Sequence, residues 1–331
     1  MRRSRPITAI VLLASVLLPS AAAPVLAQDQ GNSEQARILA YWTRDRIANA
    51  IPRDFVRTPD GQFVPTAGKP SSGGNNVTGA SWTKGGQIVD TSGKVLFTMG
   101  GSDYICSGAV INDDRTTYSI VLTAGHCAYD ETNGAFATNW MFYPAFDTNA
   151  TYTCGESLYG CWTATALVVH NGFASAGGFN TQATLHDWSF AVVGSGGLSP
   201  AATQLDAVAG SFGYSFSAPA VGTQVFDFGY PAAGKYNGYD LTYCSDQVFT
   251  DALNGNLTLG IDCNMTGGSS GGPWLTGFVE ASGIGTGTLS SVNSYGYRLF
   301  KKIYGPKFNE ETAATYSAAT NAITGNVIVG N

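Results

Sequence analysis

The chain has 331 residues, of which 12% are charged and 42 are glycine, and this charged fraction is about half the usual one. Together with many Thr, Tyr and Val residues, this composition favours an all-β protein over a helical one. From residue 81 onward, eight Lys and Arg residues stand against 18 Asp and Glu residues. This net charge of −10, without basic clusters, disfavours nucleic acid as a partner.

The first 27 residues have the pattern of a secretory signal peptide. Three arginines precede the apolar run Ile10–Leu18, and the small residues of Val25–Ala27 offer a cleavage site, with Ala21–Ala23 as the alternative. The apolar run is too short for a membrane span, and no later stretch of the sequence approaches one. We therefore expect a secreted, extracellular protein that has no membrane contact once residues 1–27 are removed.

Six cysteines in that oxidising compartment predict three disulfides. No Cys-x2-Cys pair or His-rich cluster has the spacing of a zinc site, so we expect no metal. We expect no cofactor either, because the chemistry inferred below uses only side chains and backbone groups.

Residues 28–80 differ in charge and pattern from the rest of the chain. Five arginines fall within 37–57, and Ser33 could cap an amphipathic helix that runs to Ala50. Residues 69–76 form a linker of Gly, Ser, Pro, Asn and one Lys. We interpret 28–80 as a propeptide. The alternative is a small N-terminal subdomain that stays attached.

From Gln87 onward, short segments rich in β-branched and aromatic residues alternate with turns. The domain over 81–331 is long enough for two β-barrels, at about 87–195 and 220–305, and the acidic start of 308–322 favours one terminal helix. The predicted strands are Lys94–Thr98, Ile105–Ile111, Tyr118–Leu122, Asn139–Tyr143, Trp162–His170, Trp188–Val193, Gln224–Tyr230, Tyr239–Thr250, Leu257–Cys263, Pro273–Val279 and Ser291–Phe300.

The run GGSSGGP at 267–273 suits neither a helix nor a regular strand, because each glycine loses extra backbone entropy on ordering. It permits a tight loop that exposes the Ser270 hydroxyl and aims backbone N–H groups toward it. A serine nucleophile with an oxyanion hole has these requirements. A flexible Gly/Ser linker is the alternative. Cys263 before the run and Trp274 after it indicate instead a loop held on a scaffold.

A serine nucleophile needs a base, and the chain has three histidines. His126 directly follows a predicted strand in LTAGHC, where small residues let the chain turn sharply. His170 precedes Asn-Gly, which is typical of a solvated turn. His186 adjoins Asp187, and neighbours on a strand point to opposite faces, so these two side chains cannot both aim at one site. The sequence therefore predicts His126 as the base.

Asp187 is the candidate for the residue that orients the base. It leads into an otherwise apolar strand, where a carboxylate needs a partner, and His126 would supply one. A capping or turn Asp is the alternative.

The TAGHC motif with His126, Asp187 before its apolar strand, and GSSGGP with Ser270 occur in the order found in the trypsin/chymotrypsin-like serine peptidases. The chain resembles this family over about 87–305 and is most similar to its secreted microbial branch, which includes the glutamyl endopeptidases. The resemblance implies an all-β fold of two six-stranded antiparallel β-barrels with the active site in the cleft. His126 and Asp187 would come from the first barrel and Ser270 from the second.

The same resemblance implies further site residues. The backbone N–H groups of Gly268 and Ser270 would form the oxyanion hole, and Ser294 would support Asp187. The residues expected to bind substrate are Met265, Asn293, Ser294, Tyr295 and Gly296.

Disulfide pairing is only partly implied by the family. The resemblance pairs Cys106 with Cys127, which would clamp the histidine loop. Proximity and topology leave Cys154 with Cys161 and Cys244 with Cys263, although six cysteines allow fifteen connectivities.

The sequence departs from the family at several positions. Animal members have an Asp at Ser269 that binds a freshly cut N-terminus. Residues 88–90 resemble the family's motif at that cut, but with Ser269 in place of the Asp no such ion pair can form. We therefore expect activation by removal of the basic propeptide. Asn264 stands where an Asp selects Lys or Arg, which disfavours a trypsin-like preference. Met265 and Asn293 replace the Thr and His of glutamyl endopeptidases, so cleavage after Glu is not implied either.

We therefore predict a monomeric, secreted serine endopeptidase whose partners are protein or peptide substrates and its own propeptide. The run around Ser270 also fits the Gly-x-Ser-x-Gly elbow of lipases, but there the histidine follows the serine, and the last histidine here is His186. An inactive, peptidase-like binding module is the remaining alternative.

Overall fold

The structure is a computed structural model that describes residues 34–66, 79–146, 153–198 and 203–330. The predicted signal peptide and the predicted linker at 69–76 lie outside these residues. The described chain is mostly β-structure, which confirms the all-β class. Its strands are β1 Ile51–Pro52, β2 Phe55–Arg57, β3 Phe63–Pro65, β4 Ala80–Ser81, β5 Ser92–Met99, β6 Ser102–Ile111, β7 Ser119–Thr123, β8 Tyr129–Asp130, β9 Ala135–Phe136, β10 Thr138–Pro144, β11 Trp162–His170, β12 Ser189–Val193, β13 Gly213–Tyr214, β14 Gln224–Gly229, β15 Thr242–Gln247, β16 Phe249–Thr250, β17 Leu259–Asp262, β18 Pro273–Val279, β19 Thr286–Val292, β20 Tyr295–Tyr297, β21 Lys302–Gly305 and β22 Val327–Val329.

Helices are short, apart from one near the end of the chain. Residues 34–41 are helical. The other helices are α1 Arg44–Asn49, α2 Gln87–Thr91, α3 Asn171–Ala174, α4 Thr181–Leu185, α5 Leu205–Ala209 and α6 Glu310–Asn321, with 3₁₀ turns at Gly125–Cys127, Cys154–Glu156 and Ala252–Asn254.

The first half of the domain is a closed antiparallel barrel. Its six strands pair in the order β6, β5, β10, β11, β12 and β7, and β7 pairs back with β6. Strands β7 and β12 are buried along their whole length, as expected of apolar strands inside a covered barrel. The predicted first barrel is confirmed.

The second half is divided between two six-stranded sheets. One sheet has the order β13-β19-β18-β14-β15-β4, and the other has the order β16-β17-β21-β20-β2-β3. Strands β4 and β2, which precede the first barrel in the chain, pair with β15 and β20. The N-terminal strands thus extend both sheets, and this half differs from the single closed barrel of six strands that was predicted.

The N-terminal helix is interrupted where one long helix was predicted. Trp42 leaves the helical path because its side chain is buried and its indole Nε1 donates to the Asn139 carbonyl at 2.7 Å. Thr43 then adopts an extended conformation, and its hydroxyl accepts from the Arg46 N–H, which starts α1. A tertiary contact therefore overrides the continuous amphipathic pattern.

Helix α2, which was not predicted, begins at Gln87, and the N–H groups of Gln87 and Ile88 bond to the 284–285 loop. Another local prediction is wrong. The predicted strand Ser291–Phe300 is two strands, since β19 ends at Val292 and β20 begins at Tyr295. The two residues between them, Asn293 and Ser294, use their side chains to bond to buried groups around the site described below.

The terminal helix is confirmed as α6. Asn309 caps it in a reciprocal capping box with Thr312. Two acidic residues occupy its first turn, where their negative charge interacts favourably with the helix dipole. No helix in the described part of the chain is long and apolar enough to cross a membrane.

Candidate active site

His126 and Asp187 form a fully buried pair. His126 lies in the 3₁₀ turn that follows β7, and Asp187 lies between α4 and β12, which pairs with β7. The Asp187 Oδ2 atom is 2.8 Å from His126 Nδ1, and Asp187 Oδ1 accepts from the His126 backbone N–H at 2.8 Å. Both side chains are 0% exposed, so this pair is shielded from solvent.

Two features let the His126 turn approach Asp187. A Cβ atom on Gly125 would lie 3.1 Å from Asp187 Oδ1, so the small residue predicted to allow the turn also makes room for the carboxylate. The Cys106–Cys127 disulfide joins β6 to the turn, as the resemblance implied. Ser294 completes the arrangement, since its hydroxyl donates to Asp187 Oδ2 at 2.5 Å.

The Ser270 loop has the conformation that its glycines permit. Gly268 and Gly271 have φ angles of +99° and +78°, a region that other residues rarely adopt. The N–H groups of Gly268 and Ser270 donate no backbone hydrogen bond within the described residues. This leaves both donors of the predicted oxyanion hole available.

Ser107, which the sequence analysis did not single out, connects the Ser270 loop to the first barrel. Its N–H donates to the Ser270 carbonyl at 2.7 Å, and its hydroxyl donates to the Gly268 carbonyl at 2.8 Å. In turn, the Tyr230 N–H donates to the Ser107 hydroxyl at 2.9 Å. The sequence signal that could have identified Ser107 is its hydroxyl within the otherwise apolar predicted strand Ile105–Ile111.

The Ser270 hydroxyl donates to a carboxylate that the sequence analysis also missed. Its partner is Asp54 Oδ1, 3.1 Å away, in the segment between β1 and β2. The Asp54 carboxyl lies close enough to His126 and Asp187 for electrostatic interaction, and loss of hydration raises its pKa to about 6. His126 Nε2 is buried and has no hydrogen-bond partner among the described residues.

A cavity of about 340 Å³ adjoins Ser270. Its charged lining side chains are Arg298, Lys301, Lys302 and Asp54, and Lys302 is paired with Asp262 at 2.5 Å. Asp54, which comes from the N-terminal segment, is the one acidic residue among those that line this cavity in the described structure. All predicted substrate-binding residues also line it: Met265, Asn293, Ser294, Tyr295 and Gly296.

Asn293 lines the cavity, but its side-chain amide bonds to buried groups behind the Ser270 loop. Its Nδ2 donates to Asp227 Oδ1 at 2.7 Å and to the Ser269 carbonyl at 3.1 Å, and its Oδ1 accepts from the Trp274 indole at 2.8 Å. Burial raises the pKa of Asp227 well above its usual range. The amide is thus engaged in holding the loop rather than facing a substrate.

Asn264 also has its side-chain oxygen occupied. The oxygen accepts from the Tyr236 hydroxyl at 2.6 Å and from the Gly79 N–H at 2.9 Å. Asn264 thus holds Gly79, near the start of the domain, beside the cavity, and it brings no charge into the cavity.

The other two histidines lie together, away from Ser270. His170 caps α3 by accepting from the Gly172 N–H at 3.0 Å, and its ring stacks on that of His186 with centroids 4.7 Å apart. His186 Nε2 is 3.1 Å from Glu311 Oε2 at the start of α6. His186 ends α4 rather than lying on a strand, and its ring contacts Glu311 whereas Asp187 contacts His126.

The remaining disulfides are Cys154–Cys161 and Cys244–Cys263, the pairs predicted from proximity and topology. The second bond joins β15 to the segment that leads from β17 to the Ser270 loop.

Comparisons with known proteins bear on the family and the fold of the chain. Residues 75–172 match the model of the lysyl endopeptidase C-terminal domain. That match ends before Asp187 and Ser270, so it carries no information on the cavity. No curated protein sequence matches the chain.

The similar solved structures include two that are more than 30% identical to the chain. The thermostable serine protease AL20 from an extremophilic microorganism is 34% identical, with a TM-score of 0.60 over 72% of this chain and 100% of that one. The protease Anisep from Arthrobacter nicotinovorans is 37% identical, with a TM-score of 0.59 over 73% of this chain and 99% of that one. A Glu endopeptidase, 19% identical with a TM-score of 0.54 over 76% of this chain and 99% of that one, shares the fold.

The barrel, the sheets and these similarities define a chymotrypsin-like protease. The chain belongs to the trypsin/chymotrypsin-like serine proteases and is a serine endopeptidase, a hydrolase. Within that family it is similar to microbial members.

Proposed function

We propose that the protein hydrolyses peptide bonds by acyl transfer, with Ser270 as the nucleophile, His126 as the general base and Asp187 as the residue that orients the base. The observation that carries this proposal is the buried His126–Asp187 pair, at 2.8 Å, beside the loop that presents Ser270. A buried carboxylate that holds one ring nitrogen leaves the other available as a base.

Each step uses groups of this chain. With Nδ1–H donated to Asp187, His126 Nε2 takes the proton of the Ser270 hydroxyl as Oγ attacks the peptide carbonyl carbon. The Gly268 and Ser270 N–H groups stabilise the oxyanion that forms, and the same His126 then gives its proton to the leaving amine. Water releases the acyl group by the same route. Each oxyanion donor contributes on the order of a hundredfold in rate.

The substrates we propose are proteins or peptides whose backbone pairs with Ser294–Gly296 and whose side chain enters the cavity beside Ser270. No acidic side chain of 79–146, 153–198 or 203–330 lines that cavity, and Asn264 is neutral. This lining supports the expectation against a trypsin-like preference for Lys or Arg.

We further propose that the protein is secreted as a monomeric zymogen, with residues 1–27 as signal peptide and 28–80 as propeptide. Three disulfides across the domain support folding in an oxidising compartment. The alternative is an N-terminal subdomain that stays attached. The packing of Ile38, Trp42 and Ile47 into the core is the observation that keeps this alternative open.

Digestion of casein by wild-type protein and by Ser270→Ala tests the proposed reaction. We expect complete loss of cleavage in Ser270→Ala, with full activity in the matched variant Ser282→Ala, which changes an exposed serine. The residues at the ends of the released peptides would give the preference of the cavity. Equal cleavage by the processed wild type and the processed Ser270→Ala variant would exclude Ser270 as the nucleophile. No cleavage by the processed wild type would favour the binding-module alternative.

A further inference from the structure

Residues 51–66 cross the cleft between the two halves of the domain. Strand β1 pairs in parallel with β6 of the first barrel, through Ile51 with Tyr104 and Pro52 with Ile105. Strand β2 pairs in parallel with β20, and β3 folds back on β2. The segment therefore covers the strand that is expected to pair with substrates.

The consequence for the site is occlusion. His126 is 0% exposed and Ser270 is 2% exposed, so a peptide substrate cannot reach either side chain while the segment is in place. A Cβ atom on Gly267 would lie 2.8 Å from the Pro52 side chain and 3.1 Å from that of Asp54, which shows how closely the segment packs on the Ser270 loop.

We propose that residues 51–66 are a built-in inhibitor, in which the Asp54 carboxyl group binds the Ser270 hydroxyl and holds it away from His126. This inference rests on the proposed function of Ser270 and His126. The Ser270 hydroxyl donates to Asp54 Oδ1 at 3.1 Å, while His126 Nε2 has no hydrogen-bond partner in the described chain. Nucleophile and base are therefore uncoupled, because the proton that the base must take is directed to another acceptor.

The segment occupies the site without being a substrate in this arrangement. Acylation needs a peptide carbonyl carbon at Ser270 Oγ with its oxygen at the Gly268 and Ser270 N–H groups. Instead, the Asp54 carbonyl oxygen accepts from the Thr66 N–H at 3.0 Å, and the Arg53 carbonyl oxygen lies 4.0 Å from the Cys106 sulfur. The group at Ser270 is a side-chain carboxylate, which has no amine leaving group.

Neighbours of Asp54 hold the segment on the His126 turn. The Arg53 guanidinium donates to the His126 carbonyl and forms an ion pair with Glu131 at 2.9 Å, with side chains 11% and 1% exposed. The Phe55 ring stacks on Phe179 with centroids 4.0 Å apart and meets the His126 ring edge-on at 5.5 Å. These contacts fix Asp54 between the nucleophile and the base.

The test measures how fast a fluorophosphonate probe labels the unprocessed full chain, with intact mass identifying the labelled form. We expect Asp54→Ala to be labelled at least tenfold faster than wild type, because its Ser270 hydroxyl is free to turn to His126. The matched variant Asp60→Asn changes an exposed carboxyl at the turn between β2 and β3. It should be labelled within twofold of the wild-type rate.

A second measurement is independent of how the variants fold. A synthetic peptide of residues 51–66 is added to the processed wild-type enzyme, and its inhibition constant is compared with that of the same peptide carrying Asp54→Ala. We expect the wild-type peptide to inhibit, to remain uncut between residues 53 and 55, and to bind at least tenfold more tightly than the Ala peptide.

The outcomes separate this inference from the proposed function. Equal labelling of wild type and Asp54→Ala, or equal inhibition by both peptides, would overturn the inference while leaving Ser270 as the nucleophile. Cleavage of the added peptide beside Asp54 would also overturn it, since the segment would then be a substrate. If the processed enzyme is not labelled at all, the proposed function fails and the inference falls with it.

Discussion

The chain neighbours His186 and Asp187 belong to two different histidine–carboxylate pairs, and these pairs have different surroundings. Asp187 is paired with His126 at 2.8 Å, and both side chains are 0% exposed. His186 is paired with Glu311 at 3.1 Å, with side chains 10% and 49% exposed. Asp187 also accepts from Ser294 and from a backbone N–H, whereas the Glu311 carboxylate lies half in solvent at the start of a helix.

This comparison shows that the distance within a pair does not define its role. A carboxylate that is buried among several donors can fix the tautomer of its histidine and stabilise the imidazolium. A half-exposed carboxylate can rotate and is screened by water and salt, so its pairing contributes little. The first pair is therefore expected to act in catalysis and the second to connect α4 with α6.

The largest expected effect separates the two pairs directly. Asp187→Asn should lower kcat on the order of 10⁴-fold, because the amide no longer holds His126 in the tautomer that leaves Nε2 as the base. Glu311→Gln should leave kcat within twofold. Steady-state kinetics of both processed variants on one peptide substrate measures the difference, and losses of similar size would show that burial does not distinguish the pairs.

The disulfide that clamps His126 provides the next comparison. Serine at both Cys106 and Cys127, 21 residues apart, should lower the free energy of unfolding by about 3 kcal/mol. It should also lower kcat at least tenfold, because the histidine turn loses its link to β6. Denaturant unfolding and kinetics measure the two effects.

A matched control for this prediction is the pair Cys154 and Cys161, which lie seven positions apart in the chain and away from the site. Serine at both positions should cost about 2 kcal/mol of unfolding free energy without a change in kcat. A similar loss of kcat in both double variants would show that the loss reflects general destabilisation.

Asp54 places a third carboxylate beside the first pair, and its pKa predicts how pH affects the inhibitor. Binding raises this pKa from its ordinary value of 3.8 to about 6. The occupied cleft thus holds the proton more tightly than the free segment. The gain in binding from protonation of Asp54 is therefore complete below pH 3.8 and is lost as the pH rises through about 6.

The inhibition constant of the 51–66 peptide should therefore be about tenfold lower at pH 5 than at pH 7.5. His126, Asp187, Arg53 and Glu131 also face this region, so the matched peptide with Asp54→Asn is needed to remove their contribution. An equal pH dependence of the two peptides would assign the effect to those groups instead.

The smallest expected effect is on the second pair. Removing His186 and Glu311 singly and together should give a coupling free energy below about 1 kcal/mol in a double-mutant cycle, and it should decrease further in high salt. A coupling of several kcal/mol that does not depend on salt would mean that this pair is shielded like the first.

The sequence allowed prediction of those parts of the molecule that depend on local pattern and on motif order. The first barrel follows from apolar strands such as Trp162–His170, whose bounds are the same in the structure. The candidate triad follows from three motifs and a choice among three histidines. The terminal helix follows from its acidic first turn.

Contacts between distant residues were not predictable in this way. Asp54 lies 216 positions from Ser270, and its segment has no pattern that points to the cleft. Ser107 meets the Gly268 carbonyl across 161 positions. The break between β19 and β20 was missed because Asn293 and Ser294 are buried through hydrogen bonds rather than through apolar side chains.

The most direct test of Ser270 as a peptidase nucleophile is an intact mass measurement of processed protein after fluorophosphonate treatment, beside processed Ser270→Ala. We predict one adduct on the wild-type protein, none on Ser270→Ala, and casein cleavage by the wild type alone. A folded, processed wild-type protein without an adduct, or an equal adduct on both proteins, would contradict the account.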